Sequence, residues 1–373
     1  MVKLRLLVAF LLLSLAGSAQ IPVNNPIDPG DTILNDAVNF INKYFNEFRP
    51  GKLPDFTKYW SAEDCKAYKF PDQLLFALNT EIPTYLLGKP TILYARPEND
   101  LTHIKTMFSR MDSSGNVLVI SITNHYINRT KEGNLYFVNP MFLVADAWES
   151  VKVRSISYFY PSYHRFNKKK AAHLAHNIAK LEKEWQLQPI AIRYYFADTK
   201  EEIDHFRGFD FTLAMGNKDK PSGMSDGMDN IVYCGGWGEN YFHEVVHVYL
   251  NRLFPRSPLG EGLAVFYGGS LGHDLGWHLQ RVNQYLQLHK EVNLNNLDDF
   301  YYIDNFTNPN STILGMLVMA AYKKDGIEGI KRLMKYSSLD IALQKEYGVK
   351  KGEWDTFLRT KIEELGNASA PQK

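Results

Sequence analysis

The chain has 373 residues, 45% of them hydrophobic and 22% charged, which is enough apolar material for a sizeable core and excludes a disordered or low-complexity protein. With 42 Lys and Arg against 41 Asp and Glu, the formal charge is +1, and no basic run is longer than Lys168 to Lys170, so nucleic acid is not an expected partner. Only two cysteines are present, Cys65 and Cys234, which excludes a disulfide scaffold and a thiolate cluster; a bound metal would have to be held by imidazole and carboxylate.

The chain opens with a short basic region (Lys3, Arg5), an apolar run from Leu6 to Leu15, and small residues Gly17, Ser18 and Ala19. This order predicts a secretory signal peptide over residues 1–19, cleaved after Ala19, since the apolar run falls short of the roughly 20 residues that a membrane span needs. Removing it takes away Lys3 and Arg5 and turns the charge from +1 to −1. The mature protein is therefore expected in a secreted or periplasmic location, not spanning the membrane, with Cys65 and Cys234 as free thiols.

From Ile33 to Phe48 the apolar residues recur at helical spacing, and Pro50-Gly51 ends the run. The pattern then turns to period two with β-branched and aromatic residues, predicting strands at Thr91 to Tyr94, Asn116 to Thr123, Leu135 to Val138 and Val151 to Tyr160. Residues 20–150 thus read as a small α+β accessory domain with a curved antiparallel sheet. Residues 151–365 read as a second domain. It comprises a helix through Ala171, Leu174, Ile178, Leu181 and Trp185, a strand from Pro189 to Phe196, a Gly- and Asp-rich loop from Met215 to Asp229, a strand from Ile231 to Cys234, and then mostly helix. The small, polar residues 366–373 are expected to form a disordered tail.

The chemistry concentrates in His243-Glu244-Val245-Val246-His247. On a helix, residues four apart share a face, so both imidazoles can meet one metal ion, while Glu244, about 100° round, lies beside it where a general base is useful. At this composition the pattern arises by chance in roughly 0.02 of chains this long. Downstream, Pro255 and Pro258 force a turn and Glu261 falls in the first turn of a new helix, followed by the small residues Gly262 and Ala264. Two His and one Glu leave the fourth position of a zinc ion open, as in catalytic sites.

HEVVH, a 13-residue gap and EGLAVFYGG together resemble the HExxH...EGxA signature of gluzincin metallopeptidases of the peptidase-MA-like group. Upstream, the helix, strand, Gly-rich stretch and a strand from Met228 to Cys234 precede the HEVVH helix in the family's order. Downstream, Ser311 to Tyr322, Asp325-Gly326 and Ile330 to Met334 resemble its late helices. Residues 161–365 are covered, and the accessory domain is not. The resemblance implies one Zn2+ bound by His243, His247 and Glu261, Glu244 as the base that also returns the proton to the leaving amine, and a Met228 to Cys234 strand whose edge takes an extended peptide or protein substrate.

Two positions depart from the family. Val265 stands where some members have an Asp that orients a ligand His, and no Tyr lies beside Ser311, where aminopeptidase-like members place an oxyanion-stabilising Tyr. Tyr301, Tyr302, His273 and His278 are alternatives for that role. The rival reading is a zincin-fold protein of weak or no activity that binds a peptide or glycan.

Overall fold

The side chain of Asp31 accepts from Leu34 N at 3.0 Å and so caps α1 (Thr32–Glu47), whose buried face carries Val38, Ile41, Tyr44 and Phe45. In the computed structural model, residues 20–77, 82–216 and 220–368 are described. The leader expected at residues 1–19 and the last five residues of the expected tail lie outside them. After α1 come β1 (Lys89–Glu98), β2 (Leu101–Met111), β3 (Val117–Arg129) and β4 (Leu135–Val138), all antiparallel in the order β1-β2-β3-β4.

The chain continues through β5 (Trp148–Val153), β6 (Ile156–Pro161), α2 (Lys168–Trp185), β7 (Ile192–Ala197) and α3 (Lys200–Arg207), then β8 (Phe209–Thr212), β9 (Ser222–Asp226) and β10 (Ile231–Gly235). The helices α4 (Phe242–Leu250), α5 (Gly260–Gly268), α6 (Leu275–Leu288), α7 (Pro309–Leu333), α8 (Leu339–Tyr347) and α9 (Trp354–Ala368) complete it. The protein is therefore α+β: an antiparallel sheet, a mixed sheet, and helices toward the C-terminus.

Two compact units are present, and their boundaries differ from the sequence expectation. The first unit runs to Asp146 and takes back Asp204–Lys218, because β8 returns to pair with β3 through Ser121, Ile122 and Thr123. Its core is aromatic: Tyr44, Phe45, Phe108 and Phe137 pack between α1 and the sheet. Within it the hydroxyls of Tyr44 and Tyr85 both donate to Asp72 Oδ2 at 2.6 Å, and the Tyr85 hydroxyl meets His125 Nε2 at 3.1 Å. Burial, with a smaller contribution from His103, pushes His125 down to about 3, so its ring is neutral across the physiological range.

The second unit holds the mixed sheet in the order β5-β6-β7-β10-β9. β6, β7 and β10 run parallel, and α2 makes the crossover from β6 to β7 that a parallel pair requires. The expected single strand from Val151 to Tyr160 is instead the β5-β6 hairpin, turning at Arg154 with φ +53. The expected loop from Met215 to Asp229 contains β9, which pairs only with β10 among the described strands. The edge beside β10 thus belongs to β9; of the Met228 to Cys234 stretch expected at the edge, residues 228–230 form the turn after β9 and Ile231 to Cys234 lie inside the sheet in β10, between β7 and β9. At the C-terminus α9 runs to Ala368, so Gly366, Asn367 and Ala368 are helix where a disordered tail was expected. Both cysteines are unpaired.

Candidate metal centre

α4 is buried on nearly every face. Val245, Val246, Val248 and Leu250 have at most 1% of their surface exposed, and His243 (4%) and Glu244 (7%) are buried with them. Imidazole and carboxylate on such a helix are costly unless paired, and the partner comes from α5. Gly262 brings α5 into backbone contact with α7, since a Cβ there would stand 2.4 Å from the Leu314 carbonyl carbon. At the other end of α5, a Cβ on Gly268 would stand 2.6 Å from both N and Cα of His243. Gly262 thus seats α5 on α7 and Gly268 lets it lie against α4, where Glu261 meets the two histidines.

His243 Nε2 is 3.2 Å from His247 Nε2, and Glu261 reaches His243 Nε2 with Oε1 and His247 Nε2 with Oε2, both at 3.3 Å. The two Nε2 atoms thus lie 3.2 Å apart with one carboxylate oxygen near each, spacings that a zinc ion with bonds of roughly 2.0–2.2 Å can bridge. The triad could hold a metal ion, and no other set of three His, Cys, Asp or Glu side chains among the described residues brings its donor atoms within 4.8 Å.

Electrostatics follow the geometry. Burial opposes the charged form of His243, but Glu261 at its Nε2, with Glu244 and the Gly269 carbonyl, raises it to about 9. Burial likewise opposes ionisation of Glu261, and hydrogen bonds and attraction from His243 and His247 nevertheless hold its carboxyl well below the usual carboxylate range. The carboxylate therefore sits between the two rings, one oxygen facing each.

Each ring also has a partner behind it. His243 Nδ1 donates to the Gly269 carbonyl at 2.6 Å, and Asn251 Nδ2 meets His247 Nδ1 at 2.9 Å. Gly269 holds φ +69, and a Cβ there would stand 2.1 Å from the His273 carbonyl oxygen, so glycine is required for this carbonyl to face His243. Neither partner was expected from the sequence. Asn251 stands one turn beyond His247, just past the last helical residue of α4.

Glu244 faces β9. A Cβ on Gly223 would lie 2.6 Å from Glu244 Cγ and 2.5 Å from the Tyr241 ring, so the strand passes the carboxylate at glycine distance. Tyr241 stacks on His243 with ring centroids 5.7 Å apart, and Trp237 stacks on Tyr241 at 5.6 Å. Burial, and after it the Glu244 charge, push the Tyr241 hydroxyl well above its ordinary value. The thiol of Cys234, fully buried, is pushed up by burial to about 12 and is no nucleophile.

Among the four alternatives for an oxyanion-stabilising group, Tyr302 is distinguished. Tyr301 and Tyr302 are both exposed, at 62% and 58%, but the Tyr302 hydroxyl is raised by partial burial and then by the Glu261 charge. His278 is buried and engaged, with Nε2 donating to the Ser270 carbonyl at 2.8 Å and Nδ1 facing Thr307 Oγ1 at 3.3 Å. His273 lies flat on Trp277, with ring centroids 3.7 Å apart. The remaining histidines are structural or solvated: His164 bridges Asp198 and Glu239, His103 bridges Glu98 and Asn124, and His173 and His176 lie on the exposed face of α2. Comparison of the chain with protein-family models, curated proteins and solved structures found no significant match to any of them.

Proposed function

We propose that this protein is an exported zinc metallopeptidase of the gluzincin kind, with one zinc ion on His243, His247 and Glu261 and with Glu244 as general base. The observation that carries the reading is the pair of Nε2 atoms 3.2 Å apart with a Glu261 carboxylate oxygen 3.3 Å from each. Two imidazoles among three donors favour zinc over the oxygen-seeking calcium and magnesium, and three protein donors rather than four favour a catalytic site. The HEVVH...EGLAVFYGG pattern and the leader at residues 1–19 support the family and the exported location. No helix among the described residues is long and apolar enough to cross a membrane.

Bound there, zinc would polarise the scissile carbonyl and bring the pKa of a water toward about 7. Glu244, beside the ligands and not among them, takes the proton of the attacking water and delivers it to the leaving amine as the carbon–nitrogen bond breaks. The Tyr302 hydroxyl donates to the carbonyl oxygen as it gains charge. The free edge of β9 pairs with an extended segment of the peptide or protein substrate, which leads it past Glu244 at Gly223. Zinc analysis beside a peptide-library cleavage assay tests the reading. One zinc per chain is expected, with cleavage abolished by a chelator and lost in Glu244→Gln; equal cleavage by wild type and Glu244→Gln would refute the mechanism.

A further inference from the structure

The two ligand imidazoles are held from behind by groups of different kinds. His243 Nδ1 faces the Gly269 carbonyl oxygen at 2.6 Å, and a carbonyl only accepts, so this nitrogen carries a hydrogen and Nε2 is the one left for a metal. His247 Nδ1 faces a side-chain amide, which can accept through Oδ1 or donate through Nδ2. In the structure Nδ2 lies 2.9 Å from this nitrogen and can only donate to it, so the hydrogen of a neutral ring sits on Nε2, which is 3.2 Å from His243 Nε2 and 3.3 Å from Glu261 Oε2. That tautomer satisfies the side chains but leaves Nε2 without a lone pair for a metal.

We infer that Asn251 is a positioning residue that selects the tautomer of His247, turning its amide so that Oδ1 accepts from Nδ1–H when a metal occupies Nε2. The inference rests on reading His243, His247 and Glu261 as ligands. Two further observations support it. Asn251 is solvent-exposed, so core packing does not block the half-turn about its Cβ–Cγ bond. Its Oδ1 also lies against Gly260, where a Cβ would stand 3.3 Å away, with Cγ and Nδ2 at 3.7 Å. The glycine that precedes Glu261 leaves the amide room to turn, and one side chain borders both a ligand ring and the turn that carries the third ligand.

Zinc affinity measured on the metal-stripped full chain, in competition with a chromophoric chelator, tests this in wild type, Asn251→Ala and Asn251→Asp. Orienting partners of ligand histidines typically change affinity about 10–100-fold, so Ala should weaken zinc binding by that much. Asp only accepts, so it should bind zinc at least as tightly as wild type. Nitrogen-15 NMR of the zinc-loaded protein should place the His247 ring hydrogen on Nδ1 in wild type and in the Asp variant. Binding by Ala within twofold of wild type, or weaker binding by Asp than by Ala, overturns the inference even if all three bind zinc. A wild type that takes up no zinc overturns the ligand assignment itself, and this inference with it.

Discussion

Gly223→Ala probes the contact between the edge strand and Glu244, the proposed general base. The added methyl would stand 2.6 Å from Glu244 Cγ and 2.5 Å from Tyr241 Cε1, whereas carbon atoms in contact keep about 3.5–4.0 Å, so something must yield by about 1 Å. The Tyr241 ring is wedged between Trp237 and His243, and the Glu244 arm is the softer neighbour. Displacing a catalytic group by 1 Å costs on the order of 10²-fold in rate, or about 2.7 kcal/mol in the barrier, and the overpacking costs about 1–3 kcal/mol of stability. Glu244 is not a ligand, so zinc content should hold. Steady-state peptide cleavage should therefore show kcat reduced roughly 100-fold with KM little changed. Full kcat with zinc retained would refute the claim that β9 holds Glu244 in place.

Tyr302→Phe should keep its zinc and lose roughly 10²–10³-fold in kcat, the usual cost of one oxyanion donor; an unchanged kcat would return the role to the other candidates. His125 predicts an acid limb for the first unit. Its folded pKa of about 3 lies below the ordinary 6.5, so its contribution is complete above pH 6.5 and is lost as pH falls toward 3. At about 1.4 kcal/mol per unit the full span is roughly 4–5 kcal/mol. Denaturant unfolding between pH 7 and 4 should show a shallower loss in His125→Gln than in wild type, and equal slopes would contradict the buried neutral ring.

The site was legible where side chains carry it. His243, Glu244, His247 and Glu261 announce themselves by spacing, and the structure brings His243, His247 and Glu261 together. What was not legible is carried by backbone or by contacts distant in the chain. The Gly269 carbonyl has no side-chain signature beyond the glycine pair at 268 and 269. Gly223 matters only because Tyr241 and Glu244 arrive beside it.

In the fold, β2 escaped notice because Thr102 and Thr106 share its inner face with Ile104 and Phe108, which blurs the apolar alternation. The β5-β6 hairpin turns on Arg154 without a glycine, so two strands read as one. β8 pairs with a strand more than 80 residues earlier, which no local pattern encodes.

X-ray absorption at the zinc edge tests the central claim most directly, because it reports the metal, its donors and their distances together. One zinc per chain with a nitrogen and oxygen shell at about 2.0–2.1 Å and the outer-shell scattering of two imidazoles is the predicted result. A sulfur shell near 2.3 Å, or purified protein without stoichiometric zinc, would contradict the assignment of His243, His247 and Glu261.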